Sequence, residues 1–546
     1  MTDSALMELA VLGLLLAVIV IIISLICHRR NERLFGRTPP GPWGLPLLGY
    51  LPFLDRKAPH KSLQALAKRF GGIYQLSMGN VRTVVLSDAA MVREFLRYEQ
   101  LTARAPLYVT HGIMKGYGIV GAAGAIWKYQ RRQLIEWLKA LGMTRKQCET
   151  RAQLEQRIAR GVNECVQSYE TEAQEAGGVL DPLPSLQHSL GNVINDLVFG
   201  ETYRRNDPNW LYLQQLQEEG VKLIGVSAVV NFLPWLRHLA ANKRSIRFLL
   251  DGKAKTHAIY DRIIHRCEKQ MEVDLQQRQQ KQLPPKEPHS ILEHFLNERQ
   301  PYSELYCDDQ LRHLLADLFG AGVDTALATL RWFLLYLARE PRCQQRLQAE
   351  LQQLSETPTL AELETSVYLR ACLSEVQRIR SVVPLGIPHG VERDVTIGDY
   401  CLRSGSMVLI LQWAIHMNPD VWPQPEQFRP ERFLNADGDY AAPAQFIPFQ
   451  TGKRMCPGDE LARMMLTLFA GRILRRFHIQ LPSEQPAIDL DGECGITLTP
   501  AHYKLRFSKL KSREGKPKVE KEEQEQEERE KDERQVLEEA AKVKDE

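Results

Sequence analysis

The segment Phe449-Gln-Thr-Gly-Lys-Arg-Met-Cys456-Pro-Gly458 constrains the fold more than any other stretch of this 546-residue chain. It is a glycine-punctuated loop that presents a cysteine, sets an arginine two residues before it and runs directly into a helical pattern. Behind Asp459 and Glu460, Leu461, Met464, Met465, Leu468 and Phe469 recur at helical spacing. A thiolate at a helix N-terminus is stabilised by free backbone N–H groups and by the positive end of the dipole. Gly452 and Gly458 permit tight turns and close approach to a flat partner. Any one of these features fits a buried, inert cysteine. Together they describe an axial thiolate held against a large planar cofactor, and haem is the candidate they suit.

A second helical pattern begins at Asp308 or Asp309, either of which can cap it, with Leu311, Leu314, Leu315 and Leu318 on its apolar face. In mid-helix it carries Gly320-Ala-Gly322-Val-Asp324-Thr325. A mid-helix glycine costs up to ~1 kcal/mol relative to alanine. Two of them suit a flat ligand pressed on the helix, or a distortion that opens a groove; a kinked helix with a back-bonded threonine is the plainer alternative. Glu375 and Arg378 lie three apart on one helical face, ordinarily a solvated pair of small energetic weight.

These motifs resemble those of the cytochrome P450 family. The cysteine loop matches Phe-Gly-x-Gly-x-Arg-x-Cys-x-Gly at every fixed position but the second, where Gln450 replaces glycine. Ala321 to Thr325 is similar to the family's oxygen-activation motif, and Glu375-Val-Gln-Arg378 with Pro430-Glu-Arg432-Phe433 to its Glu-x-x-Arg and arginine-bearing segments. The resemblance implies a mainly α fold with small β-sheets, one large monooxygenase domain, haem b as cofactor and Cys456 as the iron ligand. It gives Thr325 and Asp324 the organisation of water and the delivery of protons. Trp127, Arg131, His389 and Arg454 match positions that hold the haem propionates, and Phe449 opens the haem-binding loop. Glu375, Arg378 and Arg432 become a triad that locks this loop. The chain has no glycine-rich dinucleotide fingerprint in a strand–helix context, so electrons for O2 are expected from a microsomal NADPH-dependent cytochrome reductase. Lys453, Arg463 and Arg472 are the bases expected to meet its acidic surface.

Composition sets outer limits. A net charge of +3 excludes a generally basic, nucleic-acid-coating protein, and ten cysteines without a CxxC argue against zinc sites and disulfides. Residues 10–27 are uncharged, with Ser24 the polar exception; a helix of that length reaches roughly 27 Å, close to one hydrocarbon core. Asp3 and Glu8 precede it, and Arg29, Arg30, Arg33 and Arg37 follow, an asymmetry that places the bulk of the chain in the cytosol. The lack of a basic n-region and of a small-x-small cleavage site argues against a secretory signal peptide. The expected divisions are a signal-anchor transmembrane segment at 1–30, a basic and proline-rich hinge at 31–50, the monooxygenase domain at 51–508 and a charged, disordered tail at 509–546. The expected location is the endoplasmic reticulum membrane, with the domain on the cytosolic side.

Gly79-Asn80 joins strand patterns at 72–78 and 82–87 as a hairpin. Helices then dominate to about residue 380, with a surface loop at 276–288, and short strands return at 391–397, 407–411 and 495–504. Substrate contacts are expected from 106–125, 224–236, the Gly322 helix, 383–387 and 495–497. Ile113, Met114, Ile119, Val120, Val323, Leu385 and Ile496 make these segments apolar, so a hydrophobic substrate is expected, and the resemblance implies a steroid-like one. The apolar stretch 226–236 either dips into a membrane or packs internally. At a finer level the chain resembles the insect microsomal group that makes moulting hormone, which implies hydroxylation of a sterol-derived ketodiol at side-chain carbon 25. A broad-specificity xenobiotic monooxygenase and a non-catalytic haem-thiolate sensor are the alternatives.

Overall fold

The computed structural model describes residues 37–224, 228–299, 303–483 and 488–510. The expected anchor at 1–30 and the tail from 511 onward lie outside the described residues. The architecture is helical, with small sheets at its edges.

Seven helices position the site: α1 (Gly124–Ala140), α2 (Glu149–Glu175), α3 (Leu183–Phe199), α4 (Ala240–Gln280), α5 (Asp308–Arg339), α6 (Val367–Ile379) and α7 (Asp459–Arg476). Helix α5 is the axis of the core, and every residue from 326 to 338 is buried. Its length and composition would suffice to cross a membrane, but 67% of its most apolar window is buried inside the protein, which marks it as a core helix. Neither Asp308 nor Asp309 caps it, contrary to expectation: Cys307 is the N-cap and makes no side-chain bond. The two aspartates occupy the first turn, where their charge favours the positive end of the helix.

Gly322 has a different use from the one its sequence suggests. A Cβ there would lie 3.0 Å from Ile194 Cδ1, so this glycine lets α3 approach α5 rather than making room for a flat ligand. Helix α4 continues through 276–280, where a loop was expected. Gln and Arg are good helix formers, and no breaker intervenes before Pro284.

A five-stranded sheet flanks the helical body. It comprises β1 (Ile73–Met78), β2 (Val81–Leu86), β3 (Ala103–Arg104), β4 (His389–Gly390) and β5 (Met407–Ile410), in the order β1-β2-β5-β4-β3. Strands β1 and β2 form the hairpin turned at Gly79-Asn80, with Met78 opposite Val81. The β3–β4 pair sets Arg104 opposite His389. The described part of the hinge is packed along this sheet: Gln75 N donates to Pro40 O at 2.8 Å, and Gly49 bridges Met78. The strand expected at 495–504 is interrupted. Leu498–Thr499 pairs with Glu493–Cys494, Pro500 ends the ladder, and Leu505–Lys509 joins a separate sheet with Val179–Leu180 and Phe477–Gln480.

Candidate active site

The cysteine loop is closed by its own backbone. Cys456 N donates to Phe449 O at 3.0 Å, Gln450 N to Ile447 O at 3.0 Å, and Met455 N to Gly452 O at 3.2 Å. The Arg463 guanidinium lies 4.6 Å over the Phe449 ring. Cys456 stands just before α7, and a backbone N–H bond from Gly458 lowers its thiol pKa as the helix-terminus argument expects. Burial is nevertheless the larger influence and pushes the thiol up. A metal cation bound here would favour the thiolate, since it deprotonates a coordinating thiol outright.

Next to this loop the structure gathers most of the expected cofactor residues. Arg454 is buried; its Nε donates to Thr102 O at 2.8 Å, and its Nη atoms donate to Ile119 O at 3.3 Å and Ala122 O at 2.5 Å. Its guanidinium stacks 3.8 Å over the Trp127 ring. Arg131, one turn along α1 from Trp127, donates to Met455 O at 2.5 Å. His389 Nδ1 meets Leu101 O at 2.8 Å, so that nitrogen carries the proton.

Sequence reasoning missed Arg104, the β3 residue opposite His389. Its Nε donates to Val120 O at 2.7 Å and its Nη1 to Ile387 O at 3.3 Å. Burial lowers its pKa to about 10, with Arg131 adding to the shift. Burial likewise lowers Arg454 to about 8, aided by Arg104 and Arg131. The one signal available was that Arg104 is the lone charge in Leu101-Thr-Ala-Arg104-Ala-Pro-Leu107.

Arg454 is buried and Arg104 and Arg131 are half-buried, and guanidiniums so withdrawn from water are costly without anions beside them. Trp127 Nε1 and His389 Nε2 are both buried without a hydrogen-bond partner. Burial, Arg104 and Arg454 push His389 down to about 3, a neutral ring whose Nε2 becomes a donor only when an adjacent anion favours the imidazolium. An unsatisfied indole N–H, a histidine awaiting an anion and three cations form a receptor for paired carboxylates. The haem propionates fit it.

Thr325 and Asp324 lie on α5 and hydrogen-bond to none of that group among the described residues. Thr325 Oγ1 donates back to Ala321 O at 2.8 Å, the geometry of the plainer alternative. The Asp324 carboxylate accepts from Thr497 Oγ1 at 2.7 Å, and burial raises its pKa to about 6. Thr497 was expected to touch substrate. In the middle of this helix Ala321 is exposed, and a Cβ on Gly320 would meet nothing within 4 Å. The same is true of Gly458 below the cysteine. Helix and loop thus both border open space.

Glu375 and Arg378 are fully buried and joined twice, at 2.7 and 2.8 Å. Arg432 Nε reaches the same carboxylate at 3.4 Å, and Arg429 N at 2.9 Å. Arg378 also donates to His416 O and Pro425 O, so α6 is tied to the segment that leads into the cysteine loop. Of the expected docking bases, Lys453 is exposed, Arg463 pairs with Asp459 at 2.5 Å, and Arg472 is engaged by Pro358 O and Asn163.

Comparison with known proteins accords with this geometry. A family model described as Cytochrome P450 matches residues 39–507. Cytochrome P450 306a1 of Drosophila melanogaster is 61% identical over 535 residues, covering 91% of this chain and 93% of the relative. Cytochrome P450 18a1 of the same species is 32% identical over 491 residues, covering 87% and 88%. A steroid 17-alpha-hydroxylase/17,20 lyase of Ictalurus punctatus is 31% identical over 479 residues, covering 86% and 90%.

Proposed function

The chain belongs to the cytochrome P450 family, and from that premise we propose that it hydroxylates a steroid side chain at carbon 25 in ecdysteroid synthesis. It is a haem-binding monooxygenase acting on a hydrophobic substrate with O2 and a redox partner. When bound, the haem supplies oxygen activation, so that one atom of O2 enters a C–H bond and the other leaves as water.

The chain's own residues divide the remaining work. Cys456 would hold the iron, and Arg454, Arg131, Trp127 and His389, with Arg104, would receive the propionates. Phe449 closes the loop on the cofactor. Asp324 and Thr325 hold and pass protons at the open face of α5. The observation that carries this assignment is the pair of orphaned buried nitrogens, Trp127 Nε1 and His389 Nε2, with buried Arg454 and half-buried Arg104 and Arg131 in the same group.

The finer substrate assignment rests on the apolar lining and on the loop Phe449-Gln-Thr-Gly-Lys-Arg454, in which the chain resembles the ecdysteroid carbon-25 hydroxylase phantom. Attachment to the endoplasmic reticulum membrane through residues 1–30 is supported by exposed apolar side chains on the body. Trp43, Leu45, Leu47 and Phe53 near the start of the domain, and Trp235 and Leu239 in the 228–239 loop, all face solvent. That loop packs on the β1–β2 turn, where Gly79 abuts Leu233 and Gly79 N bonds to Leu48 O. Electrons come from an NADPH-cytochrome reductase docking near exposed Lys453.

Reconstitution of the full chain with reductase and NADPH, offering the sterol ketodiol beside unrelated drug substrates, tests this reading. The expected result is ketotriol alone. Turnover of every substrate would favour a xenobiotic enzyme, and no product from any would favour a sensor.

A further inference from the structure

We propose that His257 of α4 and His313 of α5 form a two-histidine site for zinc, which when bound staples the two helices together. Neither residue belongs to the haem-binding group above. The rings meet at 4.9 Å between centroids, with 83° between their planes. His313 Nδ1 lies 2.7 Å from Asp309 O, one turn earlier on α5, so that nitrogen carries the proton. Its Nε2 is therefore a bare lone pair, buried and without a hydrogen-bond partner among the described residues. A backbone carbonyl that fixes the tautomer and leaves the other nitrogen free is the usual support of a metal-ligating histidine.

With zinc–nitrogen bonds of about 2.0–2.1 Å, two imidazoles on one ion stand about 5 Å apart at a near-tetrahedral angle, the spacing seen here. The two flipped orientations of the half-buried His257 ring occupy the same space, so either nitrogen can turn to the ion. Both rings are neutral, as ligation requires: burial and then His313 lower His257 to about 4, and burial lowers His313. The cations nearby are already engaged. Arg312 pairs with Asp261 at 2.6 Å and with Asp309 at 3.2 Å, and Lys253 Nζ donates to Ile113 O at 2.9 Å. No third histidine, cysteine or carboxylate completes a metal-binding group among the described residues. The ion therefore keeps open positions and binds reversibly, unlike a closed four-ligand structural zinc. Helix α4 also holds the turn at Tyr108–Ile113, through Lys253 and through Leu249, which packs with Val109 and Ile113. The Tyr117 ring, just beyond that turn, lies 5.6 Å from His313. Zinc at the pair would thus stiffen α4, α5 and this segment together.

The test titrates zinc chloride into the full-length holoprotein, His257→Ala and His313→Ala, read by calorimetry and by hydrogen exchange. The unmodified protein should bind a zinc ion whose affinity falls at least tenfold in either variant. X-ray absorption at one equivalent of zinc should show imidazole nitrogen and no sulfur. Zinc should also slow exchange of the amides at 253–261 and 113–117 at least threefold in the unmodified protein, and leave His257→Ala unchanged. Equal affinity in His257→Ala, or ligation by sulfur, would overturn the site. Zinc bound through the pair with no change in exchange would overturn the staple. Should His313→Ala fail to fold, because that ring is buried, His257→Ala carries the same expectations.

Discussion

Gln450 sits at φ 59°, in the left-handed region where glycine is the default. The glycine usual at this point of the motif thus has a backbone reason, and a side chain there costs about 1 kcal/mol. The Gln450 carboxamide faces His389 and lies against Gly386. Gln450→Gly should raise the thermal midpoint of the holoprotein by the strain relieved, about 1 kcal/mol; a lower midpoint would show that the carboxamide contacts outweigh it. Asp324 offers a second test at this scale. Burial sets its folded pKa near 6, above the ordinary 3.8, so ionisation opposes folding. Its contribution to stability is fully present below pH 3.8 and is lost as pH rises from there through about 6. The bond from Thr497 lowers this pKa. Thr497→Val should accordingly move the carboxyl titration to higher pH, read as the protonated-carboxyl infrared band; an unmoved midpoint would deny the contact its role. Cys456 and Arg454 were legible in the sequence because they share one short motif. Arg104 was not, because its burial follows from strand pairing with His389, far along the chain.

Two glycines in α5 separate by what surrounds them. A Cβ on Gly320 meets nothing, whereas one on Gly322 presses on Ile194. Gly320→Ala should add up to ~1 kcal/mol through helix propensity. Gly322→Ala should gain less, and truncating Ile194 to Val in the same chain should restore the difference; equal gains in unfolding midpoints would refute this account of the α3–α5 contact. Helix α6 carries the sharper expectation. Glu375→Gln leaves the buried Arg378 without its counter-charge, a loss of about 3–5 kcal/mol. It should abolish haem retention on purification, and a variant of normal haem content would remove Glu375 from the locking role. Local pattern made the β1–β2 hairpin and the period of α5 readable in advance. The extension of α4 through polar residues was not, since polar helix and polar loop share a composition. Nor was the interrupted strand at 495–504, where Pro500 divides two separate sheets.

At the scale of the whole molecule, one helical body is organised about α5, with the cysteine loop and its neighbouring arginines packed against the 119–122 segment. The sheet brings His389 and Arg104 to its edge, and the buried triad holds the segment that delivers Cys456. Fold and chemistry were legible because the motifs recur in fixed order along the chain. Substrate choice was not, because apolar segments from distant parts of the chain carry no local signal of how they come together. All of these parts have a purpose only if Cys456 binds iron as a thiolate. The reduced carbon monoxide difference spectrum of the full chain, beside Cys456→Ser, tests that most directly. A far red-shifted Soret band is expected in the unmodified protein and should vanish in Cys456→Ser; an ordinary histidine-type band in the first, or a persisting shifted band in the second, would contradict the account.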